Sequence, residues 1–487
     1  MAKITPEQVK KLSAGYKTFP MHDVIPAGEL TPTHVFRILR GRSRHCFILE
    51  SASACGESGR YTFLGFNPKL EITCDRGILR VKNGSDIELH TENPGEYIRG
   101  VIADNRGPRV PELPPFTGGL VGYFSYEYIR YSEPKLRLAN DGDESFKDVD
   151  LMLFDKVIAF DRAENAIILI VNIKTGALDE NYADGASALE ELARLITEGE
   201  PVTPTKLCLT SGFRPMFDKP RFCGMVSRAK EYIREGDIFQ VVLSNRYDAD
   251  AQGSLFGTYE ILRESNPSPY MFYFSSDDIE IAGAAPETLV KLRRGVVTTF
   301  PLAGTRPRGK TPEEDAALEA ELLADPKELA EHNMLVDLGR NDIGKISSFG
   351  TVKVEKYLSV ERFSHVMHIG STVTGKIADG KGGIDAINAL LPAGTLSGAP
   401  KYRACEIIGE LEGHGRGIYG GAIGYLCFNG DMDTCIAIRI AFKKNGRVFI
   451  RSGAGIVNDS VPEREFEECA SKLAAVRLAL EKAGGVK

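Results

Sequence analysis

Two Asn-Gly pairs near the end of the chain, Asn429-Gly430 and Asn445-Gly446, constrain its fold more than any other feature. Asn-Gly suits the positive φ angles of a tight hairpin turn. Each pair is flanked by runs rich in β-branched and aromatic residues. The spacing therefore predicts a three-stranded antiparallel meander over residues 419–428, 433–443 and 447–456. Strands joined by such short turns need no crossover helix, which favours an α+β chain over a doubly wound parallel sheet. Residues 47–50, 61–66, 151–160 and 167–173 also read as strands, and 184–197 and 219–235 as helices. The stretch 200–205 carries Pro and Thr without periodicity and marks a boundary between an N-terminal portion, 1–205, and a second domain, 218–487.

The balance of charge excludes some function classes. The formal net charge is −7, with basic residues interspersed among acidic ones, which argues against general nucleic-acid binding. No apolar run is long enough to span a membrane. The first residues hold no apolar segment of the secretory kind, and the nine cysteines lack C-x-x-C spacing. Both point to a cytoplasmic protein with reduced thiols, without a disulfide frame or zinc site.

Behind the meander a helix is expected over 462–482. Its apolar stripe is Phe466, Cys469, Leu473, Val476 and Leu480. At roughly 100° per residue, Glu465 and Glu468 border that stripe while Glu467 lies opposite. A second Glu-x-x-Glu, Glu328 and Glu331, follows Asp325-Pro326, and Glu331 shares a face with Leu335 and Leu338. Each pair reads either as solvated surface charge or as half of a site for a hard divalent cation held by oxygens. Glu328 has a further reading as part of a helix cap. Carboxylates at the edge of a buried face are costly unless paired or metal-bound.

Other chemistry-bearing residues are scattered. Arg439 stands among small neighbours in the predicted middle strand, either as a fork for a carboxylate ligand or as a structural ion pair. Gly453 and Gly455 relieve backbone strain or let a ligand approach the main chain. Glu287 follows a proline in an apolar stretch, where a carboxyl tends towards a raised pKa, as a general acid needs. His368 reads as a core histidine, a ligand or a proton donor. Gly413-His-Gly-Arg-Gly resembles a nucleotide loop only superficially, because no strand-to-helix frame surrounds it.

Taken together, Gly-Asp-Ile-Phe-Gln-Val-Val-Leu-Ser, Pro-Leu-Ala-Gly-Thr-Arg-Pro-Arg-Gly, the two acidic helices, Gly-Thr-Leu-Ser-Gly-Ala-Pro-Lys, Tyr-Gly-Gly-Ala-Ile-Gly and Arg-Ser-Gly-Ala-Gly-Ile resemble the chorismate-utilising enzymes. Within them the chain is most similar to the first components of anthranilate synthase. The resemblance implies two mostly antiparallel sheets packed face to face with helices outside, and an N-terminal regulatory portion. It implies Mg²⁺ on Glu331 and Glu468, with Glu328 and Glu465 completing an acidic shell. Chorismate would be bound by Tyr419, Arg439 and the backbone of Gly453, Ala454 and Gly455, with Gly304, Thr305 and Thr395 lining the pocket. Glu287 would protonate the departing C4 hydroxyl, and His368 would assist the loss of pyruvate. Gln240 stands where water-adding members carry a Lys base, and Ala303 where a different branch carries a nucleophilic Lys; both imply amination at C2 and anthranilate as product. Glu50 and Ser51, with Pro269, Tyr270 and Met271, match a feedback site for L-tryptophan. The chain shows no glutaminase motif, so a separate glutamine amidotransferase subunit would supply ammonia. Two rival readings are an aminodeoxyisochorismate synthase without lyase activity and a non-catalytic tryptophan-binding sensor.

Overall fold

The computed structural model describes residues 4–52, 59–139, 146–363 and 366–484. Their strands gather into two large sheets, of 13 and 12 strands, with antiparallel pairing. Two-residue alternation assigns the layers. In Cys46–Glu50, Phe47 points into the core between the sheets while Cys46 and Ile48 face outward; in Tyr270–Ser275, Phe272 and Phe274 point in while Met271 and Tyr273 face out. The inter-sheet core is strongly aromatic, with Phe47 and Phe154 edge to face at 4.7 Å and Phe442 stacked on Phe449 at 5.5 Å. The outer face of the larger sheet is covered by Pro32–Arg40, Leu178–Glu198, Phe256–Ser265 and Pro462–Gly484. The smaller sheet is covered by Pro94–Asp104, Pro326–Gly344 and Gly383–Leu390. The molecule is thus α+β, with sheets face to face and helices outside. No described helix is long and apolar enough to cross a membrane.

Both sheets take strands from either side of residue 205. Cys46–Glu50 pairs with Tyr270–Ser275, placing Glu50 opposite Met271. Gly119–Phe124 pairs with Ala422–Cys427. Asn445-Gly446 turns as expected, with both φ positive at 50° and 73°; at Asn429-Gly430 only Gly430 has positive φ, 87°, and Cys427 N donates to Asp431 O at 2.7 Å to close the turn.

Two of the expected strands are each divided. The run 151–160 becomes Val149–Phe154 in the smaller sheet and Lys156–Asp161 in the larger. The run 433–443 becomes Met432–Ile436 in the smaller and Ile440–Lys444 in the larger. Ile438 N donates to Ile436 O at 2.8 Å, a tight turn, and Arg439 has φ 55°. Consequently Ile436 lies in the outer core of the smaller sheet while Ile440 and Phe442 lie between the sheets, although an unbroken strand would place all three on one face. Sheets packed face to face lie about 10 Å apart, so a chain passing between them must leave one ladder before joining the other. A third crossing separates Ile279–Ala285 from Thr288–Arg293, at Pro286 and Glu287.

Candidate active site

Two of these crossings run side by side and carry the candidate chemistry. Ile436 N donates to Glu287 O at 3.0 Å, and Ala284 N donates to Arg439 O at 3.2 Å. The Glu287 side chain is buried, 8% exposed, and accepts a hydrogen bond from Thr395 Oγ1 at 3.1 Å. Burial pushes its pKa up to about 8, against the opposing pull of the Thr395 hydroxyl, the Leu302 amide and the Lys472 charge. Glu287 is therefore protonated at neutral pH. Thr395 is presented by the short turn Gly394–Leu396. Arg439 Nη1 donates to Lys472 O at 2.8 Å, and burial lowers its pKa.

His368 lies on Val366–Lys376, beside the irregular strand Leu302–Pro307. Its Nδ1 is 2.8 Å from Gly304 O and 3.1 Å from Thr305 Oγ1. A carbonyl can only accept, so Nδ1 carries the proton and Nε2 keeps its lone pair. Burial first, then the charges of Arg439 and Lys472, hold the imidazole below its usual pKa and neutral. Gly304 has φ 67°, and a Cβ there would lie 3.1 Å from Glu328 Oε2.

One acidic helix, Pro326–Gly344, touches the start of the strand Gln240–Gln252 through Glu331. Asp325 caps Pro326–Gly344, accepting from Lys327 N and Glu328 N at 3.0 and 3.3 Å. The Glu328 carboxylate lies 3.5 Å from Arg306 Nη1. Gln240 Nε2 donates to Glu331 Oε1 at 3.1 Å. A Cβ at Gly455 would fall 2.5 Å from Gln240 Nε2 and displace that amide, and one at Gly453 would fall 2.9 Å from the Leu243 carbonyl and 3.1 Å from the Tyr419 hydroxyl. Ala454 between them is buried. Burial, and then the partner glutamate in each pair, raises the pKa of Glu328 and Glu465. The Lys327 charge also reaches Glu465, so the two helix starts are neighbours. Glu328, Glu331 and Glu465 are partly buried while Glu468 is exposed; the glutamates repel within each pair, and an all-oxygen donor set of this kind suits a hard cation. Among the described residues, however, no three of these carboxylates bring oxygens within 4.8 Å of one another; Glu468 instead pairs with Lys472 Nζ at 2.6 Å.

The five residues matched to feedback lie elsewhere, around a single cavity of about 290 Å³ between the sheets. Glu50, Ser51, Pro269, Tyr270 and Met271 all line it. The Glu50 carboxylate turns away from it, to Arg162 at 2.8 Å, Arg263 at 2.6 Å and the Tyr259 hydroxyl. The Tyr270 hydroxyl donates to Asp433 Oδ1 at 2.8 Å and meets Thr288 Oγ1 at 2.7 Å. Thr288 also lines a small cleft on the Glu287 side, so the two spaces share a wall.

Residues 44–477 match the model of the chorismate binding enzymes. The chain belongs to this family. It is 44% identical to anthranilate synthase component 1 of Acetivibrio thermocellus, over 99% of each chain. It is 37% identical to the crystal structure of anthranilate synthase component I from Streptococcus pneumoniae TIGR4, with a TM-score of 0.75, over 93% of this chain and 98% of that one. At 20% identity and a TM-score of 0.69, the menaquinone-specific isochorismate synthase of Escherichia coli shares the fold, over 97% and 98% of the two chains. Within the chorismate-binding enzymes, the chain is an enzyme of the anthranilate synthase component I type.

Sequence reading of this chorismate-binding enzyme missed Lys472. Its ammonium donates to Gly453 O at 3.1 Å, pairs with Glu468, and acts electrostatically on Glu287, His368 and Glu465. The available signal was its position one turn after Glu468, on the same helix face. Also missed were Phe63, Ile423 and Tyr425, which line the inter-sheet cavity; only strand pairing across the two halves brings them there.

Proposed function

We propose that the chain aminates chorismate at C2 and eliminates pyruvate to give anthranilate, the first step of tryptophan biosynthesis. The supporting observation is the likeness to anthranilate synthase component 1 along nearly the whole chain, joined to a buried, protonated Glu287. Residues 218–487 form the catalytic portion in this reading, and 1–205 the regulatory one. Arg439, Tyr419 and the backbone of Gly453, Ala454 and Gly455 bind the enolpyruvyl carboxylate and ring, with Gly304, Thr305 and Thr395 beside them. Glu287 gives its proton to the departing C4 hydroxyl, which leaves as water while ammonia bonds to C2. Neutral His368 then assists the loss of pyruvate, which leaves an aromatic ring. Gln240, an amide, generates no hydroxide, and Ala303 offers no nucleophile. Mg²⁺ would be held by Glu331 and Glu468 with Glu328 and Glu465 around it, and when bound would secure the ring carboxylate of chorismate.

Ammonia comes from a separate glutamine amidotransferase subunit, the second component. L-Tryptophan inhibits from the inter-sheet cavity, whose roughly 300 Å³ scale suits an amino-acid-sized ligand. The protein acts in the cytoplasm, without nucleic acid or membrane as partner. Turnover with chorismate, Mg²⁺ and ammonium tests the reading, with and without tryptophan. Anthranilate fluorescence together with pyruvate is expected. An accumulating non-aromatic amine would favour the aminodeoxyisochorismate synthase alternative, and tryptophan binding without any turnover would favour a sensor.

A further inference from the structure

We propose that Arg416, clamped by Glu412 and Arg451, is a positioning residue that holds the Thr395 turn against the Gln240 strand and so fixes the hydrogen bond between Thr395 and Glu287. The inference rests on the reading of Glu287 as the general acid. Arg416 belongs to Gly413-His-Gly-Arg-Gly, which has no part in the proposed chemistry. Arg416, Glu412 and Arg451 are 2%, 0% and 1% exposed.

The contacts of this triad converge on the walls of the site. Arg416 Nη2 donates to Glu412 Oε1 at 2.6 Å, and Arg451 Nη2 to Glu412 Oε2 at 2.5 Å. Burial opposes ionisation of Glu412, but the two guanidinium groups hold its pKa below the ordinary value. One carboxylate faces two cations, and the surplus positive charge is spent on backbone carbonyls. Arg416 Nη1 donates to Leu396 O at 2.5 Å, next to Thr395, and Nη2 donates to Val242 O at 2.7 Å. Val242 is two residues from Gln240 and opposite Gly455 in register. Arg451 Nη1 donates to Gly415 O at 3.0 Å and Nε to Ser244 Oγ at 2.8 Å, and Ser244 is opposite Gly453. The Arg416 backbone is also fixed, with the amides of Arg416 and Gly417 donating to Glu127 at 2.6 and 2.9 Å. Desolvation of a buried ion triad largely cancels its attraction. Stability is therefore a poor account of it, whereas a rigid fork with fixed donors is well suited to setting the distance between two backbone segments.

The charged groups facing Glu287 are Lys472 on Pro462–Gly484 and, across the small cleft, Asp342 on Pro326–Gly344, itself paired with Lys401 at 2.6 Å. Neither touches Arg416 in the contacts described above, so loosening the triad acts on Glu287 through Thr395. The Thr395 hydroxyl lowers the pKa of Glu287; its loss raises it.

The test compares wild type, Arg416→Lys, Thr395→Ala and the double variant of the full chain. Two readouts are used: kcat and KM with ammonium, and the infrared titration of the Glu287 carboxyl, assigned by its loss in Glu287→Gln. Arg416→Lys keeps a cation but cannot reach both carbonyls and the carboxylate. It is expected to lower kcat by roughly tenfold, part of the contribution of a positioned acid, and to raise the Glu287 midpoint. The double variant is expected to move that midpoint no further than Thr395→Ala alone. A variant that loses thermal stability yet keeps the wild-type kcat and midpoint would overturn the proposal. If Arg416→Lys does not fold, Ser244→Ala serves, since it removes one hydroxyl between Glu412 and Arg451; unchanged kcat and midpoint there would overturn it equally. A midpoint that moves in a chain whose wild type makes no anthranilate leaves the positioning role standing and removes the functional reading.

Discussion

Glu287 shows how one residue acquires a property that its model peptide lacks. Burial moves its pKa from an ordinary value of 4.5 to about 8, which leaves the acid form available at neutral pH. Glu287→Gln is expected to lower kcat by about 10²–10⁴-fold, the usual contribution of a general acid, while binding of chorismate survives; steady-state kinetics checks this. The same shift has a consequence for stability. Between 4.5 and about 8 the folded chain holds a proton that the unfolded chain has released. Stability from this group is therefore full below the lower value and lost as pH rises through the upper one. Denaturant unfolding at several pH values should show a decline for wild type that Glu287→Gln flattens. A proline-flanked apolar context made this glutamate legible in the sequence. For Lys472 the sequence offered only its place one turn after Glu468; its contact with Gly453 O depends on how the helix packs on the sheet.

At the scale of elements, the acidic helices and the sheet crossings carry the proposed site. The Glu328/Glu331 and Glu465/Glu468 pairs begin helices whose first turns are neighbours. In the proposed reading, a divalent cation would relieve the repulsion within each pair. Added Mg²⁺ is expected to raise the melting temperature, by an amount equivalent to about 2.7 kcal/mol at a hundredfold excess over Kd. Glu468→Gln should reduce that rise, measured without substrate, and should abolish Mg²⁺-dependent turnover; an undiminished rise would remove Glu468 from the metal set. Helix positions were readable because the apolar stripe repeats every three to four residues. The crossings at Glu287 and Arg439 were not. A strand that leaves one sheet and enters the other keeps its period-two pattern on both sides, so the run looks unbroken.

At the scale of the whole molecule, the N-terminal and C-terminal portions are one pair of sheets. Removing residues 1–205 would expose the edges of Tyr270–Ser275 and Ala422–Cys427, which now pair with Cys46–Glu50 and Gly119–Phe124, and exposed edges associate. A fragment of residues 218–487 is therefore expected to aggregate or remain unfolded, as judged by light scattering and circular dichroism. A monomeric, folded fragment would contradict it. The proposed tryptophan cavity lies on this seam and shares Thr288 with the cleft beside Glu287. Ser51→Ala is expected to raise the tryptophan concentration needed for half-inhibition several-fold with little change in kcat, and an unchanged inhibition curve would remove Ser51 from that site. The sequence by itself determined the antiparallel character, the helices and the identities of the acidic and hydroxyl-bearing residues, because turn chemistry and side-chain periodicity are local. Only the tertiary structure decided which strands pair across residue 205, where single runs change sheets, and that Thr395 donates to Glu287 beside the crossing that carries Arg439. Those choices depend on packing between segments hundreds of residues apart, which no local pattern records.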